Sequence, residues 1–352
     1  MKRILHSSLI GWVGISLVAC SQGANAPTLQ PVTASLPPAI ETTPTSPIPV
    51  SAGLRSYTYR VGPFKLPAQS APERLADQPG SIAFAIEEPL WMTAFEPELE
   101  DRNGNALPAS LLHLAIVANH GESNPLCSGE RTGLPIAATT SAHQKITLPA
   151  GYGYAIVPTD RLETTVWLRN PTDEDYSEVY FRFTVRGEPM DTKQVMQDVQ
   201  PLLIETDPCG HQPLAVEPGG YVTKQTRVAV PTAGHLVAAQ GLLQDFGVEV
   251  ALTKESEAAP FWKAAAVINA QHQVTELPQY ADPAGVPFQS GEGLVLSVAY
   301  QNFSERWFNN ATTAAMLYFA RGTDTTTSSS TTKPYQQKIF TPATAVQTTL
   351  LQ

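Results

Sequence analysis

The sequence predicts a mainly β protein made of antiparallel β-sandwiches or jelly rolls, and three observations support this fold class. Of the 352 residues, 42% are hydrophobic and only 15% are charged, which is enough apolar content for buried cores. Short runs of β-forming residues recur along the chain, separated by turn signals such as Asn103-Gly104 and Asn170-Pro171. Within Val179–Val185, apolar and polar residues alternate, which is the period of a strand with two different faces.

The individual elements follow from the same patterns. The predicted strands are, in chain order, Ile82–Ile86, Leu111–Ala118, Tyr152–Val157, Thr164–Leu168, Val179–Val185, Val222–Val230, Leu236–Leu243, Val248–Thr253, Ala265–Asn269, Leu294–Tyr300 and Ala315–Ala320. Asp191–Val199 has a helical pattern instead, and it lies where a domain boundary is expected.

The N-terminus has the pattern expected of an export signal. Lys2 and Arg3 precede the mostly apolar run Ile4–Leu17, which is too short and too interrupted to span a membrane. Small residues before Cys20 resemble the bacterial lipoprotein box, which implies cleavage before Cys20, diacylglycerol on its sulfur and a further acyl chain on its amino group. The alternative is an ordinary signal peptide with an incidental cysteine. Because Ser21 and not Asp follows, the resemblance implies a lipid-anchored protein of the bacterial cell envelope, sorted to the outer membrane.

Composition divides the rest of the chain. The segment after Cys20 is rich in Pro, Thr and Ser, has almost no charge, and lacks the aromatic residues a core needs, so it predicts a semi-rigid stalk. The predicted organisation is a signal peptide at 1–19, the lipidated cysteine and linker at 20–55, a first β-sandwich at 56–190, a second at 191–322, and a Thr/Ser-rich linker with a C-terminal tail at 323–352.

Charge and motifs exclude several functions. The net charge of −10 argues against nucleic-acid binding, which needs clustered Lys and Arg. The sequence contains no Walker-type loop, no HExxH, no CxxC and no GxSxG nucleophile elbow. None of the common catalytic signatures therefore assigns an enzyme class.

Two cysteines remain after lipidation of Cys20. In an exported chain, Cys127 and Cys209 are most simply a disulfide. Such a bridge closes a loop of about 80 residues and contributes roughly 4 kcal/mol in the chain-entropy model. Two free thiols, or two thiolate metal ligands, are the alternatives.

Two longer stretches carry a family resemblance. Glu98–Val117 and His235–Val250 resemble the first-domain and second-domain elements of the copper type II, ascorbate-dependent monooxygenases, which include the peptidylglycine-hydroxylating enzymes. The order of the intervening elements is also similar: a strand ending in Leu168-Arg169-Asn170, then Asp245-Phe246-Gly247, then a late strand with Met316. The resemblance implies two tandem jelly-roll-like β-sandwiches separated by a cleft.

The copper ligands of that family are mostly missing here. The family's His-His pair corresponds to Leu112-His113, and its third histidine falls near Trp167, where this chain has none. The His-x-His pair of the second copper corresponds to Leu242 and Gln244, and its methionine corresponds to Met316. Of the ligands that the resemblance implies, only His113 and Met316 are therefore present in this chain. Copper favours imidazole and thioether ligands over an amide or an alkyl group. The sequence therefore predicts no cofactor, with copper expected only if a metal site survives.

Three hypotheses follow. The leading one is a lipid-anchored, non-catalytic relative of the copper monooxygenases that binds an unknown peptide, glycan or small apolar ligand in its cleft, with His113, Trp167, Gln244 and Met316 as candidate contacts. The second is a copper-dependent monooxygenase with a remodelled site, which needs His113, His120, His211 or His235 to converge. The third is a purely structural or adhesive envelope protein.

Overall fold

The computed structural model describes residues 53–74, 81–127, 133–142, 145–191, 195–205, 214–311 and 313–321. The predicted signal peptide, Cys20, Cys209, nearly all of the first linker and the tail at 323–352 lie outside the described residues. The part of the chain that is described contains no helix long and apolar enough to cross a membrane.

The described residues are mainly β, as predicted, and contain no α-helix. The N-terminal half (53–191) contains β1 (Arg55–Leu66), β2 (Ser70–Arg74), β3 (Ser81–Phe84), β4 (Leu90–Glu100), a 3-10 turn (Ala109–Leu111), β5 (Leu112–Ser123), β6 (Gly133–Thr139), β7 (Ile146–Thr147), β8 (Tyr152–Ile156), β9 (Leu162–Asn170) and β10 (Tyr176–Pro189).

The C-terminal half (195–321) contains β11 (Gln197–Glu205), β12 (Leu214–Val216), β13 (Tyr221–Ala229), β14 (Gly234–Leu242), β15 (Gly247–Lys254), β16 (Trp262–Ala265), β17 (Val267–Ile268), β18 (Val274–Glu276), β19 (Tyr280–Phe288), β20 (Gly293–Gln301), β21 (Phe308–Ala311) and β22 (Ala314–Arg321).

Strand β10 shows how alternation sets the two faces of a sheet. Val179, Phe181, Phe183 and Val185 are at most 1% exposed and belong to the core. The alternate residues face outward, where Arg182 pairs with Glu98 and Arg186 with Glu96 on neighbouring β4. The apolar face of β10 packs in the core. On the opposite face, the charged side chains of β10 form ion pairs with charged side chains of β4.

One long sheet runs through both halves. Its strand order is β1-β10-β4-β8-β11-β22-β14-β19, with β7 beside β4. Most neighbours are antiparallel, but β8 and β11 are parallel, with Tyr152 opposite Gln197 and Gly153 opposite Asp198. The boundary predicted between residues 190 and 191 falls between β10 and β11, and this parallel pairing joins the two sides.

The two hydrophobic cores cover opposite faces of that sheet where it enters the C-terminal half. On β11 and β22, Leu203 and Met316 belong to the first core, whereas Leu202 and Leu317 belong to the second. The five-stranded sheet β2-β9-β5-β6, in which β3 also pairs with β9, shares the first core, and the four-stranded sheet β13-β20-β15-β16 shares the second. Both arrangements are sheet-on-sheet packings, as the sequence predicts.

The helix predicted for Asp191–Val199 is wrong. Asp191 lies in a turn, residues 192–194 are outside the described residues, and β11 begins at Gln197. Val199 is 1% exposed and lies opposite Ala320 of β22. Pairing with β8 and β22 therefore outweighs the weak local helix propensity.

Candidate functional site

Two of the four predicted contacts, His113 and Gln244, meet where the two sandwich-like halves touch. In the N-terminal half, His113 lies near the start of β5 and Arg169 near the end of the adjacent strand β9. In the C-terminal half, Gln244 and Asp245 occupy the turn between β14 and β15. We call these four residues the polar joint.

His113 and Gln244 are in direct contact, although they are 131 residues apart. The side-chain amide nitrogen of Gln244 lies 3.0 Å from Nε2 of His113 and donates to the His113 carbonyl oxygen at 3.3 Å. Because an amide NH₂ only donates, Nε2 is the acceptor in this arrangement and the imidazole proton lies on Nδ1. Neither that Nδ1 nor the Gln244 Oε1 has a hydrogen-bond partner, and both atoms are buried.

The His113 side chain is neutral at physiological pH. Burial, together with the nearby positive charge of Arg169, lowers its pKa from 6.5 to about 3. Desolvation disfavours the charged form of an imidazole, and a neighbouring cation acts in the same direction. The contact with Gln244 is therefore a hydrogen bond between two neutral groups.

Arg169 and Asp245 form a bidentate ion pair beside it. Nη1 of Arg169 donates to Oδ2 of Asp245 at 2.5 Å, and Nη2 donates to Oδ1 at 2.7 Å. The two side chains are only 8% and 10% exposed. Nε of Arg169 donates to the Ser110 carbonyl oxygen at 3.0 Å, so three of its five N–H groups are satisfied by protein. This geometry fixes the turn of one half against β9 of the other.

The hydroxyl of Tyr300 extends the joint into the second core. Tyr300 is fully buried, and its hydroxyl accepts from the Gln244 backbone N–H at 3.3 Å. Burial and the negative charge of Asp245 raise the pKa of Tyr300 well above its ordinary value, so the phenol stays protonated.

The other two predicted contacts, Trp167 and Met316, lie on β9 and β22. Trp167 is on β9, opposite Leu114 in the register with β5, and is therefore one residue from the His113 position. Met316 is fully buried in β22, opposite Gln240 of β14 and Leu203 of β11. The structure thus brings His113 and Gln244 together and gives Met316 a place in the first core.

The donors at these positions do not fit a copper ion. Nε2 of His113 is engaged by Gln244, the thioether of Met316 belongs to the packed core, and Leu242 offers no donor atom. No group of three His, Cys, Asp or Glu residues suited to a metal occurs within the described ranges.

The remaining histidines of the second hypothesis are separated where they are described. His120 lies at the other end of β5, where its Nε2 is 3.3 Å from Glu163. His235 is exposed near the start of β14, far along the strand from Gln244. His211 lies outside the described residues, as does Cys209, so the Cys127–Cys209 disulfide stays a prediction.

Sequence reasoning missed Arg169 and Asp245 as site residues. Both stand in the short segments Leu168-Arg169-Asn170 and Asp245-Phe246-Gly247 that mark the family resemblance. The available signal was an arginine directly after the apolar run Val166-Trp167-Leu168, since such a charge is rarely buried without a partner. The sequence contains no signal for which carboxylate that partner is.

Comparisons with known proteins give no family. No family model matches the sequence, and no curated protein matches it. Among solved structures, PNGase F, a glycosylasparaginase from Flavobacterium meningosepticum, is 11% identical with a TM-score of 0.37, covering 76% of this chain and 96% of its own.

Two viral structures give lower TM-scores. A chain of Sulfolobus turreted icosahedral virus is 11% identical with a TM-score of 0.33, covering 75% of this chain and 90% of its own. The mavirus major capsid protein is 7% identical with a TM-score of 0.21, covering 88% and 93%. At such values the similarities carry no argument about function.

Proposed function

We propose that this protein is a lipid-anchored, non-catalytic binding module of the bacterial cell envelope. In this proposal Cys20 carries the lipid, the Pro/Thr-rich segment is the stalk, and the two sandwich-like halves are the ligand-binding body. The copper-monooxygenase resemblance then concerns the scaffold and not its redox chemistry.

The polar joint is the observation that carries the proposal. Its four side chains stand at or beside positions where the family resemblance implies metal ligands and an open cleft. Here they hold the two halves together by direct contacts of 2.5–3.3 Å. A redox enzyme of that family needs exchangeable ligands at these positions, whereas a buried ion pair and a neutral hydrogen bond favour a fixed body.

Copper analysis tests the proposal. We expect the chain, purified in detergent and desalted, to retain well below one copper per chain and to show no ascorbate-dependent oxygen uptake above a free-copper control. Gln244→Ala should behave the same way. Gln244→His places a second imidazole beside His113 and should raise copper affinity, because imidazole is a good copper ligand and an amide is not. Tight stoichiometric copper in the natural chain, with ascorbate oxidation, would contradict the proposal.

The lipid anchor has its own test. We expect the natural chain to fractionate with membranes and to partition into detergent, because two or three acyl chains give stable anchoring. Cys20→Ser should move the protein to the soluble fraction or leave it unprocessed, while Cys127→Ser should leave partitioning unchanged. Mass spectrometry of the N-terminal peptide should show an acylated Cys20. An unmodified N-terminus elsewhere in the chain would contradict this part.

A further inference from the structure

Three exposed aromatic residues lie on neighbouring backbone segments at the end of strand β20, where the Asn302 N–H donates to the Gly220 carbonyl oxygen at 2.9 Å. Tyr221, Phe303 and Trp307 are 63%, 44% and 60% exposed. Phe303 and Trp307 flank one turn between β20 and β21, and Tyr221 of β13 lies opposite Gln301 at the end of β20. We call these three residues the aromatic rim.

The turn that carries Phe303 and Trp307 is held rigidly. Asn302 is fully buried, and its side-chain amide donates to the carbonyl oxygens of Val216 at 3.0 Å and Arg306 at 2.7 Å. Its Oδ1 accepts from the backbone N–H and the hydroxyl of Ser304. A preorganised surface loses little conformational entropy when a ligand binds.

Two further rings contact the rim. His272 stacks on Phe303 with ring centroids 4.6 Å apart, and Phe246 stacks on His272 with ring centroids 6.0 Å apart. Phe246 follows Asp245 directly, so the stack reaches the polar joint.

Two supporting residues have strained backbones. His272 and Phe246 have φ values of 58° and 65°, and the Phe246 N–H donates to the His272 carbonyl oxygen at 2.9 Å. A left-handed conformation is unusual for a bulky residue and costs about 1–3 kcal/mol; such strain concentrates at ligand sites.

The size of the rim favours a small ligand over a protein. Three aromatic side chains at these exposures present roughly 300 Å² of ring surface, on the usual size of aromatic side chains. A stable protein interface needs about 800 Å² from each partner. The rim by itself matches a ligand of a few rings, and a protein partner would need further contacts well outside it.

The charge of the rim selects among small ligands. The charged residues that flank it in the sequence are Glu217, Lys224, Glu305 and Arg306, all exposed, in a chain of net charge −10. Two cations against two carboxylates leave the rim without an excess of positive charge, which does not favour a nucleic acid or an anionic lipid surface. A neutral ligand with flat C–H faces for stacking and hydroxyl groups for the polar neighbours fits both the rings and the charge.

We propose that the aromatic rim binds a neutral oligosaccharide. The C–H face of each sugar ring packs on an aromatic face, whose negative quadrupole attracts the C–H hydrogens, and the sugar hydroxyls contact the flanking polar groups. This inference rests on the proposed function, because it names the ligand class of a non-catalytic binding module.

Titration of the full chain with maltohexaose, cellohexaose and N-acetylchitohexaose, followed by tryptophan fluorescence and calorimetry, tests the inference. We expect saturable binding of at least one of them. Trp307→Ala and Phe303→Ala should each weaken it by about tenfold or more, as for aromatic anchors of other interfaces. Val195→Ala, which removes a 90% exposed apolar side chain outside the rim, should leave binding unchanged. Thermal unfolding of each variant establishes that the exposed substitutions leave the fold intact.

Three outcomes would overturn the inference. They are no saturable binding to any of the three oligosaccharides, binding that Trp307→Ala leaves intact, and Trp307-dependent binding to phosphatidylcholine or phosphatidylglycerol vesicles without sugar. None of these three outcomes changes the copper content or the ascorbate-dependent oxygen uptake expected for the natural chain. Failure of the sugar proposal is therefore distinguishable from failure of the non-catalytic proposal, which only retained copper and ascorbate oxidation would overturn.

Discussion

Asp245→Leu is expected to remove about 3–5 kcal/mol from the free energy of unfolding, because it leaves the buried guanidinium of Arg169 without its partner. Arg169→Met should cost a similar amount, since the carboxylate is then left unpaired. The double variant should recover most of the loss, because apolar side chains of comparable volume replace a desolvated ion pair at little net cost. Denaturant unfolding of all four proteins gives the coupling energy of the pair.

The exposed pair Arg102–Glu178 is the matched control. Its side chains are 68% and 34% exposed. Glu178→Leu should therefore change stability by no more than about 1 kcal/mol, as for other surface ion pairs. If Asp245→Leu costs as little as Glu178→Leu, or if the double variant loses the sum of the two single losses, the polar joint does not hold the halves together.

Acidification is expected to destabilise the protein through His113. The pKa of His113 is about 3 in the folded chain and 6.5 ordinarily. Above pH 6.5 the imidazole is neutral in both states and its contribution to stability is complete. As pH falls from 6.5 towards 3, the unfolded chain binds a proton that the folded chain does not, so stability falls by up to about 1.4 kcal/mol per pH unit.

His113→Gln isolates this contribution from that of the carboxylates. We expect the natural chain to lose about 1–3 kcal/mol more stability than His113→Gln between pH 7 and pH 4.5, on the linkage slope above. His235→Gln removes a solvent-exposed imidazole instead and controls for the change in histidine count. Parallel stability curves for the natural chain and His113→Gln would show that His113 is accessible to protons in the folded state.

The sequence predicts the strands whose apolar residues alternate and misses those whose composition argues against strand formation. Strands such as β10 and β20 are read correctly because one face is continuously apolar. Strand β4 contains Pro97 and several carboxylates, and edge strand β19 contains Pro283 and Pro287, so local propensity argues against both. Their strand structure comes from pairing with segments far away in the chain.

The candidate site is predictable only in part, because its contacts join residues that are far apart in the chain. His113 and Gln244 can each be picked out by comparison with a family pattern, but their mutual contact spans 131 residues. Arg169 and Asp245 are 76 residues apart, and no local period relates them. Which side chains pair across two sheets depends on how the sheets pack, and sheet packing cannot be predicted from the local patterns of a single sequence.

The shared sheet also sets the order in which the chain can finish folding. The first core contains Met316 and Tyr318 of β22 as well as Phe181 and Phe183 of β10. During synthesis from the N-terminus, β10 is therefore complete long before β22, which contributes to the same core, has been made. The first core is complete only once β22 has paired with β11 and β14. We expect a fragment that ends before β22 to expose apolar surface of this core, and such surface favours association with wrong partners.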